Sequence, residues 1–139
     1  MGTWVVDARM PGVAPAADAP VVRSVFEWIL GGAYLAQRTS VPIPGVPDSL
    51  AIVATEPADG RYTQHYFDSR GVSRLYVMTF DGSVWTLTRR SADFSSFDFA
   101  QRFVGTFSAG GDRIEGRWEK AMPGSGWELD FELNYTRDR

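Results

Sequence analysis

The sequence contains no cysteine and only one histidine, His65. Without cysteine the chain can form no disulfide, no thiolate nucleophile, no iron–sulfur cluster and no cysteine-based zinc site. A single histidine also excludes a multi-histidine metal site. We therefore expect no metal and no cofactor. Any chemistry must use Asp, Glu, Arg, Tyr, Ser or His65.

Long apolar runs and an excess of basic charge are also missing. No apolar run approaches the roughly 20 residues needed to cross a bilayer. The opening residues MGTWVVDARM lack the features of a signal peptide, and Val6 stands where a myristoylation motif has Ser or Thr. The net charge of -3 and the pI near 5.1 argue against a nucleic-acid binder, which normally has a basic face. These features predict a cytoplasmic protein that binds neither nucleic acid nor membrane.

No stretch has a convincing helical period, although RSVFEWIL could hold one helical turn. The dominant pattern is strict alternation of apolar and polar residues, which is typical of half-buried strands. In GWELDFELNYTR, the apolar residues at positions 127, 129, 131, 133 and 135 alternate with polar ones, and RIEGRWEK alternates in the same way. A length of 139 residues fits one domain, residues 1–139.

Turn signals join these strands into hairpins. Pairing Trp118 with Trp127 across AMPGSG aligns the apolar faces of two strands. The AGGD turn similarly predicts three pairs: Phe107 with Ile114, Gly105 with Gly116, and Phe103 with Trp118. Asp81-Gly82 predicts a tight hairpin with Met78 opposite Trp85 and Tyr76 opposite Leu87.

Earlier segments supply the remaining strands: TWVVDAR, RSVFEWIL, AYLAQRTSV, SLAIVAT and RYTQHYF. The fold class we predict is all-β, a single antiparallel up-and-down barrel of about ten strands, since closure removes exposed strand edges.

Aromatic residues make up 14% of the chain, and many fall on the predicted inner face. They either fill the core or line a cavity for one small ligand. The pair Gly105 and Gly116 favours a cavity, because glycines on an inner face leave space; they could equally let the strands coil.

The tripeptide GTW at positions 2–4 resembles the G-x-W that opens lipocalins and their calycin relatives. Arg137 stands where those families place an arginine over the tryptophan ring, which implies a cation–π contact between Arg137 and Trp4. The passages FEWILGGAYLAQR, YTQHYFDSRGV and FVGTFSAGGDRIEGRWE resemble a bacterial family of short lipocalin-like domains of unassigned function, distantly like nitrobindins and fatty-acid-binding proteins. The resemblance covers nearly the whole chain and implies a lipocalin-like barrel.

Two departures from these families matter. Nitrobindins hold haem iron through a histidine near the C-terminal end, and this chain has no histidine after His65. Fatty-acid-binding proteins cover the barrel mouth with two helices, but here the corresponding interval PGVAPAADAP is too rich in proline. The mouth is either open or covered by SADFSSFDFA, whose residues Phe94, Phe97 and Phe99 would anchor that loop or gate a ligand.

His65 lies in YTQHYFDSRG, the most informative stretch for function. If DSRG is a four-residue turn, Phe67 pairs with Val72, His65 with Arg74, and Thr63 with Tyr76. His65 and Arg74 would then point inward, with Arg89 beside them, as a cationic patch suited to a carboxylate or enolate. A shift of one residue would instead turn Tyr62, Gln64 and Tyr66 inward.

The function expected from these features is binding of a small apolar or amphipathic molecule in an aromatic-lined pocket. The alternatives are an enzyme for acid–base isomerisation or cyclisation, with His65 as base and Arg74 stabilising an enolate, and a filled structural barrel with no ligand. The sequence leaves open whether the protein is an enzyme and whether it forms a homodimer. The residues expected to bind ligand are Tyr76, Met78, Trp85, Arg89, Phe103, Trp118, Trp127 and Phe131.

Overall fold

A computed structural model describes residues 1–12, 20–55, 61–90 and 99–138. Two sequence predictions fall outside them: the proline-rich interval around 13–19, and the loop 91–98 with Phe94 and Phe97. Phe99, at the end of that loop, is partly buried. Within the described ranges, no helix is long and apolar enough to span a membrane.

The described residues form ten antiparallel strands, as the alternation predicted. The strands are β1 (Gly2–Arg9), β2 (Val22–Ile29), β3 (Tyr34–Ser40), β4 (Ser49–Thr55), β5 (Tyr62–Asp68), β6 (Ser73–Phe80), β7 (Val84–Arg89), β8 (Ala100–Phe107), β9 (Arg113–Ala121) and β10 (Glu128–Arg137).

Each strand pairs with its neighbours along the chain, and β1 pairs with β10, so the sheet closes into an up-and-down barrel. The start of β1, the end of β10 and the turns 30–33, 81–83 and 108–112 lie at one end, which we call the terminal end. The connections 41–48, 69–72 and 122–127 lie at the other, which we call the far end. The predicted fold class is confirmed.

The hairpin of β8 and β9 has the predicted register. Phe103 pairs with Trp118, Gly105 with Gly116, and Phe107 with Ile114. A Cβ atom on Gly116 would lie 2.7 Å from the ring of Phe103, and one on Gly105 would lie 2.8 Å from it. The space left by the glycines is therefore filled by the Phe103 ring. The interpretation that these glycines open a cavity is wrong.

The predicted register of β6 and β7 is wrong by two residues: Met78 pairs with Leu87, and Phe80 with Trp85. The carboxylate of Asp81 accepts hydrogen bonds from the backbone N–H groups of Ser83 and Val84 at 2.9 and 2.8 Å, which widens the turn. Because the error is an even number of residues, the inward-facing set does not change.

The predicted register of β5 and β6 is wrong by one residue, which reverses a face. His65 pairs with Leu75, Gln64 with Tyr76, and Tyr66 with Arg74. Asp68 remains paired, since its N–H donates to the carbonyl of Val72 at 3.1 Å. The loop is thus three residues long, not four, and ends with Gly71 at φ 84°. Gln64 points inward and His65 outward, as in the alternative considered from the sequence.

The predicted register of β9 and β10 is also wrong. Trp118 pairs with Phe131, not with Trp127, and the register shifts between Leu129 and Phe131. A bulge at this point puts two residues opposite one and interrupts the alternation. Leu129 consequently lies 44% exposed, whereas Tyr135 on the same strand is buried in the core.

Candidate functional site

A half-enclosed cavity of about 250 Å³ opens at the terminal end of the barrel. Phe80 and Phe107 lie at its mouth, with their ring centroids 5.4 Å apart. Deeper in, Trp85 forms part of the wall and packs edge-on against Phe26 at 6.1 Å. The remaining apolar lining residues are Met1, Trp4, Leu35, Val53, Met78 and Ile114.

Trp4 and Arg137 close the barrel beside this cavity. The guanidinium of Arg137 lies 4.5 Å from the centre of the Trp4 ring, which is the contact implied by the lipocalin resemblance. Arg137 also donates from Nη1 to the carbonyl of Met1 at 2.8 Å, and its Nε lies 3.4 Å from Oδ1 of Asp112. Gly2 has φ 88°, and a side chain there would crowd Arg137. The first and last strands are thereby held together at the mouth.

Two amide side chains, Gln37 and Gln64, supply the neutral polar groups of the lining. The Nε2 group of Gln37 donates to Oγ of Ser24 at 2.9 Å and to the hydroxyl of Tyr135 at 3.3 Å. Burial raises the pKa of Tyr135 to about 12, although the bond from Gln37 acts in the opposite direction. Tyr135 therefore stays neutral at physiological pH.

Gln64 differs from Gln37 because its Oε1 is buried with no hydrogen-bond partner in the described structure. Only 4% of Gln64 is exposed. The indole N–H groups of Trp4 and Trp85, two other lining residues, are also buried without a partner. An unpaired buried polar group costs about 1–3 kcal/mol. The cavity thus combines apolar walls with a few unused hydrogen-bonding groups.

Of the residues that the sequence analysis predicts to bind a ligand, Met78 and Trp85 line this cavity. Three other expected residues lie deeper in the barrel: Tyr76 and Phe103 are buried in the core, and Trp118 packs against them. Phe131 is the strand partner of Trp118. The ring of Trp118 lies 5.4 Å from Phe103 and 5.6 Å from Tyr76. These rings pack against one another in the interior and do not line the cavity.

Arg74 and Arg89 lie towards the far end, on the inner side of their strands, and neither lines the cavity. Arg89 is 4% exposed, and its Nη1 lies 3.5 Å from Oε1 of Gln101. The hydroxyl of Tyr76 donates to the same oxygen at 3.4 Å. The two arginines point inward as expected, but the core aromatic residues separate them from the cavity.

His65 faces away from the interior. Its partners are Ile52 and Leu75, and its ring lies 6.5 Å from that of Phe67, which is 40% exposed. The prediction that His65 points inward is wrong, because the hairpin loop after it is one residue shorter than the sequence suggested. His65 cannot act as a base for a ligand held in this cavity.

Trp127 also lies outside the barrel. The guanidinium of Arg102 is 4.4 Å from the centre of its ring, and that of Arg90 is 5.2 Å away. Arg102 in turn pairs with Glu119 at 2.8 Å. The expectation that Trp127 forms a wall of the pocket is wrong, because the bulge between Leu129 and Phe131 reverses the faces of the chain before it.

The far end is organised by the carboxylate of Asp68, whose side chain is fully buried. Arg70 donates to Oδ2 at 2.6 Å, and the hydroxyl of Tyr66 donates to it at 2.9 Å. Burial opposes ionisation, but these bonds and those from two backbone N–H groups outweigh it and lower the pKa of Asp68 to about 2. Burial and the same carboxylate raise the pKa of Tyr66. This cluster explains the short β5–β6 loop.

A wider and more open depression of about 360 Å³ lies at the far end, beside Arg23 and Asp48. Its two charged side chains already have partners: Arg23 pairs with Asp138 at 2.9 Å, and Asp48 accepts from the N–H of Val41 at 2.7 Å. The cavity at the terminal end is therefore the better candidate site.

The sequence analysis missed Gln37, Gln64, Phe26, Leu35 and Val53 as lining residues. Alternation along the strands could have indicated these residues: Leu35 and Gln37 are two residues apart on β3, and Gln64 faces inward in the alternative register of β5.

Among the described residues, no three His, Asp or Glu side chains are grouped as metal ligands would be. Comparison with protein-family models gives no match, and comparison with curated proteins gives none either.

Proposed function

We propose that this protein binds one small, mainly apolar molecule in the cavity at the terminal end of the barrel. The observation that carries the proposal is a half-enclosed, largely apolar cavity whose lining residue Gln64 has a buried acceptor without a partner. Ligand sites are typically concave and apolar with a few convergent polar groups. No specific observation favours the alternative of an enzyme that uses His65 as a base, since His65 faces outward.

The size of the cavity limits the ligand. A cavity of roughly 150 Å³ accommodates benzene, so in proportion about 250 Å³ accommodates about ten non-hydrogen atoms. Small ligands gain between about 0.3 and 1.5 kcal/mol per atom. At about 0.5 kcal/mol per atom, the expected dissociation constant is on the order of 200 μM. A long-chain fatty acid is too large for this cavity.

A lipocalin-like relationship is part of the proposal. The contact of Arg137 with Trp4 and the closed up-and-down order of the strands support it. The cytoplasmic location, a bacterial origin and the lack of nucleic-acid and membrane partners also remain proposals from the sequence. Cell fractionation tests the location, and light scattering tests for a homodimer.

The binding proposal is tested by native mass spectrometry of protein purified from its host, followed by NMR titration with indene, an apolar bicycle of suitable size. Val53→Phe should fill the cavity, because Val53 lines it. Val77→Phe is the matched control, since Val77 lies on the outer face and is 43% exposed. We expect indene to bind the wild type and Val77→Phe but not Val53→Phe. Absence of both a co-purifying molecule and indene binding would exclude the proposal.

A further inference from the structure

Arg74 carries a guanidinium group that has no partner in the described part of the chain. It lies on the inner side of β6, two residues from the buried Tyr76, and its strand partner is Tyr66. Its Nε is buried and makes no hydrogen bond. None of the described ion pairs or cation–π contacts includes Arg74. Burying a charge without a partner is strongly unfavourable, so this position favours an anion beside the guanidinium.

A second arginine lies beside Arg74 on the adjoining strand. Continuing the register of β6 and β7 by one pair puts Arg89 opposite Tyr76, so Arg74 and Arg89 are diagonal neighbours. Such neighbours are about 7–8 Å apart, a spacing that long side chains can bridge. Arg89 is almost fully buried, and its Nη1 lies 3.5 Å from Oε1 of its strand partner Gln101. The far end of the interior is therefore faced by two guanidinium groups.

The acidic side chains around this part of the far end do not neutralise Arg74. The carboxylate of Asp68 accepts the bonds that hold the β5–β6 loop. Glu128 is the strand partner of Lys120, and Oδ1 of Asp130 lies 4.0 Å from the Nζ of that lysine. In the described structure, none of these three carboxylates lies within ion-pair distance of Arg74. The missing negative charge is one that a bound molecule can supply.

We propose that the far end of the barrel interior is a second binding site, which takes a small organic carboxylate at Arg74 and Arg89. A guanidinium presents a planar fork of donors that matches the two oxygens of a carboxylate. The rings of Tyr76 and Trp118, 5.6 Å apart, offer an apolar surface for the rest of the acid. Arg74 is only partly buried, so a small molecule can reach it from solvent. Neither arginine lines the cavity at the terminal end, so the two sites are separate.

Four small molecules test the requirement for a negative charge. Acetate and benzoate are the carboxylates, and acetamide and benzamide are their neutral counterparts. NMR titration of the wild type at constant ionic strength should give each carboxylate an affinity at least about tenfold higher than that of its amide, because hydrogen bonds to charged groups are the stronger ones. Benzoate should also bind more tightly than inorganic phosphate, which has no apolar part to place on Trp118.

Variants assign the binding to the far end. Arg74→Met should weaken benzoate binding at least about tenfold and leave benzamide unchanged, and Arg74→Lys, which keeps the charge without the fork, should fall between. Arg38→Met is the matched control, since Arg38 is an exposed arginine that already pairs with Glu27 at 3.1 Å. Val53→Phe fills the other cavity and should not affect benzoate. Circular dichroism checks that each variant is folded.

The outcomes separate this inference from the proposed function, which is tested by indene in the other cavity. If the carboxylates bind the wild type no more tightly than the amides, or if Arg74→Met binds benzoate as tightly as Arg38→Met does, the far-end site is overturned while the proposed function stands. Tighter binding of phosphate than of benzoate would overturn the assignment to a carboxylate. Loss of benzoate binding in Val53→Phe alone would place benzoate in the terminal-end cavity and overturn the inference. Because the comparison of benzoate with benzamide uses the wild type, it remains decisive even if Arg74→Met does not fold.

Discussion

Gly116→Ala tests how tightly the interior of the barrel is packed. A Cβ atom at this position would overlap the carbonyl oxygen of Leu133 on the neighbouring strand and would lie 2.7 Å from two ring atoms of Phe103. Phe103 is 1% exposed and cannot swing into solvent without leaving a cavity. Relief of the overlap would require β9 and β10 to separate. Overpacking a core costs about 1–3 kcal/mol, and contact with a backbone atom places this change at about 3 kcal/mol.

Gly105→Ala and Gly126→Ala are the matched controls. At Gly105 the nearest atoms belong to the side chains of Phe103 and Ile114, which can shift, so we expect a loss of about 1–2 kcal/mol. At Gly126 nothing lies within 4 Å, so the change should be neutral or stabilising by up to about 1 kcal/mol.

Urea unfolding followed by tryptophan fluorescence gives these free energies. A loss of about 3 kcal/mol in Gly116→Ala would lower the Tm by about 10 °C. Adding Phe103→Leu should recover stability in Gly105→Ala but only part of it in Gly116→Ala, because the overlap with Leu133 persists. A loss below about 1 kcal/mol in Gly116→Ala would refute the packing described for the barrel interior.

Three further changes test separate parts of the structure. Because the folded pKa of Asp68 is about 2 and its ordinary value is 3.8, its stabilising effect is fully present above about pH 4 and is lost as the pH falls towards 2. Asp68→Asn should lower the free energy of unfolding by at most about 2 kcal/mol at pH 7, since the partner Arg70 is exposed and screened. In a pH series of urea unfolding, the difference in this free energy from the wild type should vanish near pH 2. A difference that does not change with pH would contradict the role assigned to Asp68. Arg137→Met should lower the free energy of unfolding by about 0.5–1 kcal/mol through loss of the contact with Trp4, and no loss in chemical denaturation would mean that the contact contributes nothing. Gln64→Met should raise the free energy of unfolding by about 1 kcal/mol, because it removes a buried acceptor without a partner, and a destabilised variant would show that the amide is used in the free protein.

Alternation along the sequence was sufficient to predict the strands and the closed barrel, because each strand has one buried face. It also predicted the β8–β9 register. There, Ser108 accepts from the N–H of Gly111 and donates its own N–H to Arg113, which closes a compact turn at the place where AGGD indicated one. In this hairpin the turn residues and the apolar faces agree on one register.

The other hairpins could not be placed from alternation alone, because side-chain bonds within the turns set their lengths. Asp81 widens one loop through its bonds to backbone N–H groups. Asp68 shortens another through its bonds to Arg70 and Val72. In β10, the bulge at Asp130 has no apolar signature. Each of these features depends on local hydrogen bonding, which a pattern of apolar residues does not encode.

The chemistry of the candidate site depends on a single residue of register in β5. With a four-residue loop, His65 would face the interior beside Arg74, and the cavity would suit an anion. With the three-residue loop held by Asp68, Gln64 takes the inward position and lines the cavity, whereas His65 faces outward. Since side chains alternate with a period of two, no intermediate arrangement exists. The turn chemistry of Asp68 thus determines whether His65 or Gln64 faces the barrel interior.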